Sequence, residues 1–351
     1  MKQGGKRSGR MLAVVVSGCA MLMGMVLGAV PARAQATLPT VKKRGEIRCG
    51  INGQLPGFSV KDEKGQWVGF EIDFCRAVAA GVIGDAKRVK FVPLTTQNRF
   101  EALRKDEIDV LARNTTATLG RIAGTGVRAG AVIYVDGQTV VVPKKMNVSE
   151  LGRLDKVTIC ILDNTPYRER LEDWFDVRKI SFKPVMFANQ EAMYAAFLNG
   201  TCDGVTQDIS ALASTIIASG RAADYVMLPD IVATDPLAPY VREGDDQWLD
   251  IVRWTHYVLI EAEEHGLTRL TVEARRETGT PVERRLLGSI PGNNASKIGL
   301  EETFAYEIIK QIGNYGEVYE RNLGADSPLK FRRGINALWR QGGAMYSLPM
   351  R

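Results

Sequence analysis

Hydrophobic and polar positions follow two periods along the chain, and each change of period marks an element. Short apolar runs at "EIRCGI" (46–51), "KRVKFVPL" (87–94) and "IDVLAR" (108–113) predict strands, bounded by glycine, proline or charge. Between them "EIDFCRAVAAGVI" (71–83) and "TQNRFEALRKDE" (96–107) carry helical spacing, the second with Asn98 near its start. The loop "NGQLPGF" (52–58) and the hairpin-like "VKDEKGQWVGF" (60–70) complete this first half. Strand, helix, strand, helix, strand predicts an α/β unit with a parallel sheet.

The same order returns further on. "KVTICIL" (156–162), "ISFKPVMF" (180–187) and "CDGVTQD" (202–208) predict strands, with "YRERLEDWFDV" (167–177) and "NQEAMYAAFLNGT" (189–201) as helices. At an offset of 94 residues Phe100–Val110 lies over Tyr194–Gly204, matching Ala102 with Ala196 and Asp109 with Asp203. The paired aspartates are expected to close a helix-to-strand turn in each half. Two extended runs join the halves, Gly130–Lys145 and Val226–Asp246, so residues 140–231 are expected as an inserted lobe, and 35–139 with 232–351 as the other. "QWLDIVRWTHYVLIEAEEHGL" (247–267) and "EETFAYEIIKQIGNYGEVYERNL" (301–323) predict helices covering that other lobe. Two α/β lobes on a two-strand hinge leave a cleft at the carboxyl ends of the strands, where open α/β sheets take ligands.

Composition changes this picture little, and charge changes it once. The 351 residues are 45% hydrophobic and 25% charged, as in an ordinary globular chain with a sizeable core. The formal charge of +6 includes four cations in "MKQGGKRSGR"; without them +2 remains, and no basic stripe points to nucleic acid. That basic start, the apolar Met11–Val30 and "PARAQA" have the three parts of an export signal, cut after Ala34. The apolar run is also long enough for an uncleaved anchor, and "VSGC" at Cys19 has lipoprotein-signal shape. Downstream remain Cys49, Cys75, Cys160 and Cys202, an even set that in an exported chain predicts two disulfides. Three pairings exist; proximity favours Cys49–Cys75 and Cys160–Cys202. No CxxC pair is present and His256 and His265 are remote from all four, so no metal site is expected. A nucleophile elbow and a phosphate loop are also missing, so no cofactor is expected.

Candidate chemistry gathers in "LARNTTATLGR" (111–121), where Arg113, Asn114, Thr115, Thr116, Thr118 and Arg121 offer donors without negative charge. With "GQWVGFEIDFCRAVAA", "LTTQNRFEALRKDEIDVLARNTTATLGR", "DPLAPYVREGDDQWLDIVRW", "RRLLG" and "IGNYGEVYERNLGADSPLKFRRGINALW" in order, the chain resembles the periplasmic solute-binding proteins of amino-acid ABC transporters, family 3, in their general L-amino acid-binding branch. The resemblance implies a periplasmic binding protein-like fold of type II, with mixed sheets in the two lobes. It also implies that Arg121 and Thr116 hold a ligand carboxylate, matching the bidentate fit of guanidinium to carboxylate. Asn114 then offers its backbone carbonyl to the ligand ammonium, Asp208 is the ammonium's acid on the second lobe, and Leu55 is a cleft wall where cation-selective relatives carry an aromatic. Asp208 has a second reading as helix N-cap for "ISALAS".

The departures cluster around the ligand. Thr165 survives from a "GTT"-like turn, but Pro166, expected at a first helical position, offers neither amide hydrogen nor hydroxyl. Ala117 stands where the branch carries tryptophan, Ile122 where an acid is common, and Asp163 and Arg168 are unusual. The implied function is capture of an amino acid or related carboxylate by a periplasmic monomer, which passes it to membrane permease subunits. A periplasmic lyase of the cyclohexadienyl dehydratase type, with Asp163 as acid or base, and a ligand-presenting sensor are the alternatives.

Overall fold

A computed structural model of the chain describes residues 36–350; the expected export segment 1–34, with Cys19, lies outside the described residues. The chain runs through α1 (Thr37–Arg44), β1 (Ile47–Ile51), the hairpin β2 (Val60–Lys61) and β3 (Trp67–Val68), α2 (Phe70–Ile83) and β4 (Val89–Pro93). It continues through α3 (Arg99–Arg104), β5 (Val110–Leu111), α4 (Leu119–Ile122) and β6 (Val127–Ala129). A long strand, β7 (Tyr134–Pro143), opens a second series: β8 (Val157–Leu162), α5 (Tyr167–Arg178), β9 (Phe182–Phe187), α6 (Gln190–Leu198), β10 (Gly204–Asp208), α7 (Ile209–Ala218) and β11 (Tyr225–Met227). Strands β12 (Ala233–Leu237) and β13 (Tyr240–Arg242) lead back to helices α8 (Asp246–Glu264), α9 (Val272–Thr278), α10 (Pro281–Leu286), α11 (Phe304–Ile312) and α12 (Tyr315–Asn322).

The two series build two sheets of one plan. The first has the order β4-β1-β5-β13-β6 and the second β9-β8-β10-β7-β11, with β12 also on β7. In each, three parallel strands are followed by one antiparallel strand, β13 in the first and β7 in the second. The resemblance between halves extends to single bonds. Asp109 accepts the backbone N–H of Arg48 at 2.7 Å, and Asp203 accepts that of Thr158 at 2.8 Å, each joining the turn before the third strand to the first strand. Strands β7 and β12 pair from Tyr134↔Leu237 to Gln138↔Ala233 and form the crossover. The expected lobe cuts at 139/140 and 231/232 fall inside β7 and just ahead of β12.

Side-chain alternation fills both faces of the second sheet, as buried parallel strands require. Val141, Cys160, Leu162 and Val205 pack with Met193, Tyr194 and Phe197, while Val140, Val142, Ile159 and Ile161 pack with Leu171 and Phe175. The main core lies on the first sheet. There α8 buries Trp248, Ile251, Val252, Val258, Leu259 and Ala262 at three- and four-residue spacing. The apolar run 301–323 divides into two helices because Gly313 takes φ +95° and Asn314 then starts α12 with a capping box to Glu317.

Disulfides join Cys49 to Cys75 and Cys160 to Cys202, so β1 is tied to α2 and β8 to the turn before β10. This is the expected pairing. Pro166 differs by one place: it stands at the N-cap of α5, with ψ near 0°. The segment beyond α12 returns to the crossover, where the Asn336 side chain donates to the Val135 carbonyl (2.9 Å) and accepts its N–H (2.7 Å).

Candidate functional site

The donor-rich segment leaves the carboxyl end of β5 and is held on both sides. Asn114 has φ +31°, and its N–H donates to the buried carboxylate of Glu71 in the first turn of α2. The Asn52 amide donates to Asn114 Oδ1 at 3.0 Å. Thr116 bridges to Leu237, and its carbonyl accepts the Tyr240 hydroxyl (2.8 Å) and Arg121 Nη1 (2.9 Å). Ala117 N–H donates to Pro236 O at 2.7 Å. The segment therefore rides on the returning strands β12 and β13. Thr118 alone acts as a cap, accepting Arg121 N–H at 3.3 Å.

Asp208 ends β10 and is 1% exposed. It occupies the N-cap position of α7, yet its side chain caps nothing; Oδ1 accepts the Tyr167 hydroxyl at 2.7 Å, and Oδ2 is buried without a partner. Two more buried carboxylates stand near it on the crossover strands. Asp136 and Asp235 are directly opposite in the β7–β12 ladder; Asp136 accepts Ser210 and the Gly137 N–H, and Asp235 Oδ1 accepts Arg170 Nη1 at 2.6 Å. Burial, then the charges of Asp136 and Asp235, hold the Asp208 carboxyl well above the usual carboxylate range, against the Tyr167 hydrogen bond and the positive charge of Arg121. Burial likewise pushes Asp136 up to about 6.

Three arginines, Arg99, Arg113 and Arg121, lie close enough to repel one another. Among the described residues none of Arg99, Arg113 and Arg121 forms an ion pair with a carboxylate. Burial and then mutual repulsion bring Arg99 down to about 9, and burial brings Arg113 down to about 10 despite Glu71. Arg99 Nε is buried without a partner, while Arg113 Nε donates to Leu94 O at 2.8 Å. The Tyr167 hydroxyl is bonded to Asp208, and the same phenol interacts with the charges of Arg99 and Arg113. Cations near a buried acid with a free oxygen can accept a zwitterion, since a buried charge requires an opposite partner.

Of the residues singled out in the sequence, Arg121, Thr116 and Asn114 share the segment, and the charge of Arg121 reaches Asp208. Thr165 is half-buried, its hydroxyl donating to Leu162 O at 2.6 Å. Leu55 is fully buried in the main apolar cluster and paired through its backbone with Ser59. Asp163 is exposed, accepting the Asn164 N–H, and Arg168 pairs with Glu172 on the surface. Sequence reasoning missed Glu71, Arg99, Tyr167, Asp136 and Asp235. For Glu71 and Asp136 the signal was an acid inside an otherwise apolar run, "VGFEIDF" and "VIYVDGQTV"; Arg99 and Tyr167 stand among polar residues and carry no such signal.

Known proteins place this geometry in context. Residues 47–265 match the model of the bacterial extracellular solute-binding proteins, family 3. The chain is 42% identical over 328 residues to the general L-amino acid-binding periplasmic protein AapJ of Rhizobium johnstonii, covering 93% of this chain and 96% of that protein. It is 44% identical over 335 residues to the glutamate/glutamine/aspartate/asparagine-binding protein BztA of Rhodobacter capsulatus, covering 95% and 98%. A solved periplasmic binding protein of an ABC transporter from Brucella ovis, with glutathione bound, superimposes with a TM-score of 0.88 at 40% identity, covering 91% of this chain and all of that one. The type II periplasmic binding protein fold and the match over most of its length make this chain a member of the family 3 bacterial extracellular solute-binding proteins.

Proposed function

We propose that this chain is the periplasmic substrate-binding component of an amino-acid ABC transporter, exported through its cleaved amino-terminal signal. In this reading Arg121 and Thr116 hold the α-carboxylate, and Asp208 takes the ammonium through its free Oδ2. Asn114 and Thr165 border the ligand. Residues 140–231 move as one lobe and 35–139 with 232–351 as the other, hinging on β7 and β12; contacts from both lobes favour the closed form, which the permease then accepts from the monomer. The carrying observation is the buried, unpartnered Oδ2 of Asp208, which feels the charge of Arg121. The relatives support the reading, since AapJ and BztA are named for amino-acid binding. A lyase has no comparable support: Asp163 is exposed and is occupied by a backbone N–H.

A thermal-shift screen of the chain from Gln35 onward, against the L-amino acids and simple carboxylates, tests this. A ligand at about a hundred times its Kd stabilises by about 2.7 kcal/mol, a clear rise in Tm. Shifts with L-amino acids are expected; a screen in which none shifts the transition removes the reading.

A further inference from the structure

A second cavity lies apart from the amino-acid site and shares no residue with it. Its volume is about 560 Å³, within the range of small-molecule sites. One wall is the carboxyl-terminal half of α7, with Ser214, Ile217 and Ala218; the other is built by the loop after β1, the start of α2 and the end of α12. Helix α7 follows Asp208 in the second series, whereas the opposite wall belongs to the other lobe, so both lobes of the proposed closure meet here. Aliphatic groups cover most of the surface, and Ile217 is left 37% exposed on it.

Charge decides what the cavity takes. Asp73 is the acid of its lining, and two guanidiniums share it, Arg76 through Nη1 at 3.3 Å and Arg321 through Nε at 2.7 Å. The Asn322 amide also donates to Asp73 Oδ2 at 2.7 Å, so the acid is fully used and two cations stand against one anion. Arg321 spends only Nε on this network; among the described residues neither Nη donates to an acceptor, which leaves a fork for a carboxylate. On the facing wall Ser214 is fully buried, and its hydroxyl has no partner. A buried hydroxyl without a partner costs stability until an acceptor arrives. An apolar acid answers these features: its chain covers the aliphatic wall, and its carboxylate pairs with the spare charge and gives the free donors an acceptor.

We infer that this cavity is an effector site for an apolar monocarboxylate, such as a medium-chain fatty acid, with its carboxylate on Arg321 and its chain against α7. Contacts to α7 on one side and to α2 and α12 on the other persist only while the lobes keep this arrangement, in which Gln97 Nε2 also donates to Ala188 O at 2.7 Å between the two series. Occupancy therefore favours that arrangement and tightens amino-acid binding, a coupling that is equal in both directions. The coupling rests on the amino-acid-binding reading above; the binding of the apolar acid does not. Octanoate is titrated calorimetrically into the chain from Gln35 onward, with octanamide as the uncharged control and Ala218→Trp and Arg321→Gln as variants. Ala218 is exposed, so tryptophan there fills the cavity without entering the core and guards against a folding defect in Arg321→Gln. Wild type is expected to bind octanoate at least about tenfold more tightly than octanamide, and each folded variant to raise the octanoate Kd by at least about tenfold. The Kd of the L-amino acid with the largest thermal shift is expected to fall at least about fivefold in saturating octanoate, and to stay unmoved by octanoate in Ala218→Trp. Octanoate that does not bind wild type, binds no more tightly than octanamide, or binds the folded variants as tightly as wild type overturns the site. Octanoate that binds as expected but leaves the amino-acid Kd unmoved overturns the effector role. If octanoate binds as expected and no L-amino acid does, the site stands and the amino-acid reading alone falls.

Discussion

Replacing Asp208 with asparagine separates a ligand partner from a helix cap, because only the ligand partner depends on the carboxylate charge. Asparagine keeps the shape and an oxygen for the Tyr167 hydroxyl, which Asp208 accepts at 2.7 Å, so the change removes charge with little loss of packing. Asp208 is 1% exposed, which puts an ammonium–carboxylate contact there in the class of desolvated pairs and not of surface pairs worth about 0–1 kcal/mol. Removing one partner of a buried pair costs about 2–5 kcal/mol, so the Kd of an L-amino acid should rise about thirtyfold to several thousandfold. Stability moves the other way. The Asp208 carboxyl is raised, so its contribution to folding is complete below the usual aspartate range and is lost as pH rises through the raised value. The neutral amide of Asp208→Asn carries no such loss, and the ligand-free variant should therefore be at least as stable as wild type at pH 8. An N-cap role would leave stability unchanged in this variant, since asparagine caps as well as aspartate, and would lose about 0.5–2 kcal/mol only in Asp208→Ala. Titration calorimetry with the L-amino acid giving the largest thermal shift, and with its 2-hydroxy analogue lacking the ammonium, reads the first effect; thermal unfolding reads the second. Unchanged amino-acid affinity, or equal losses for the amino acid and the hydroxy acid, would refute the assignment.

Arg121→Ala should weaken the same amino acid at least tenfold, since each bond to a charged group is worth about 1.5–3 kcal/mol; its carboxamide derivative should lose less, and equal losses by calorimetry would count against a carboxylate role. Between pH 5 and 8 the ligand-free Tm should fall as pH rises, because Glu71 and Glu261 are raised to about 7, Asp136 to about 6 and Asp208 well above its usual range. His256, brought down to about 3 by burial, opposes them below pH 6.5, and a Tm that climbs steadily from pH 5 to 8 would show that its effect dominates. Binding an ammonium ligand near pH 5 should release protons as Asp208 ionises, seen as a binding enthalpy that varies with buffer; no variation contradicts it. Cys160→Ala with Cys202→Ala, opening a loop of 42 residues, should cost about 4 kcal/mol in the loop-entropy picture and lower the denaturant midpoint; an unchanged midpoint would show that the bond contributes nothing.

Local pattern carried most of the fold into view. The buried face of α8 at three- and four-residue spacing and the continuous apolar run of β8 are periodic signals, and they emerged where expected. The match of Asp109 with Asp203 was legible because each acts within its own helix-to-strand turn. What stayed hidden depends on distant partners. Glu71 precedes Asn114 by 43 residues, and Tyr167 is 41 residues from Asp208, so nothing near either acid in the chain announces its contact. Asp208 shows the ambiguity most clearly: its position is that of a helix cap, and only the fold turns its carboxylate toward Tyr167. Leu55, expected at the cleft wall from the family resemblance, is buried in the main apolar cluster, a packing partnership that its loop did not announce.

The central claim is that the chain closes on a zwitterion held between Arg121 and Asp208. A crystal structure of the chain from Gln35 onward, grown with the L-amino acid that gives the largest thermal shift, tests it most directly. The account predicts the ligand carboxylate within hydrogen-bond distance of the Arg121 guanidinium and the Thr116 hydroxyl, and the ammonium within about 3 Å of Asp208 Oδ2. An amino acid bound with its ammonium away from Asp208, or seated outside the cleft between the two sheets, would contradict it.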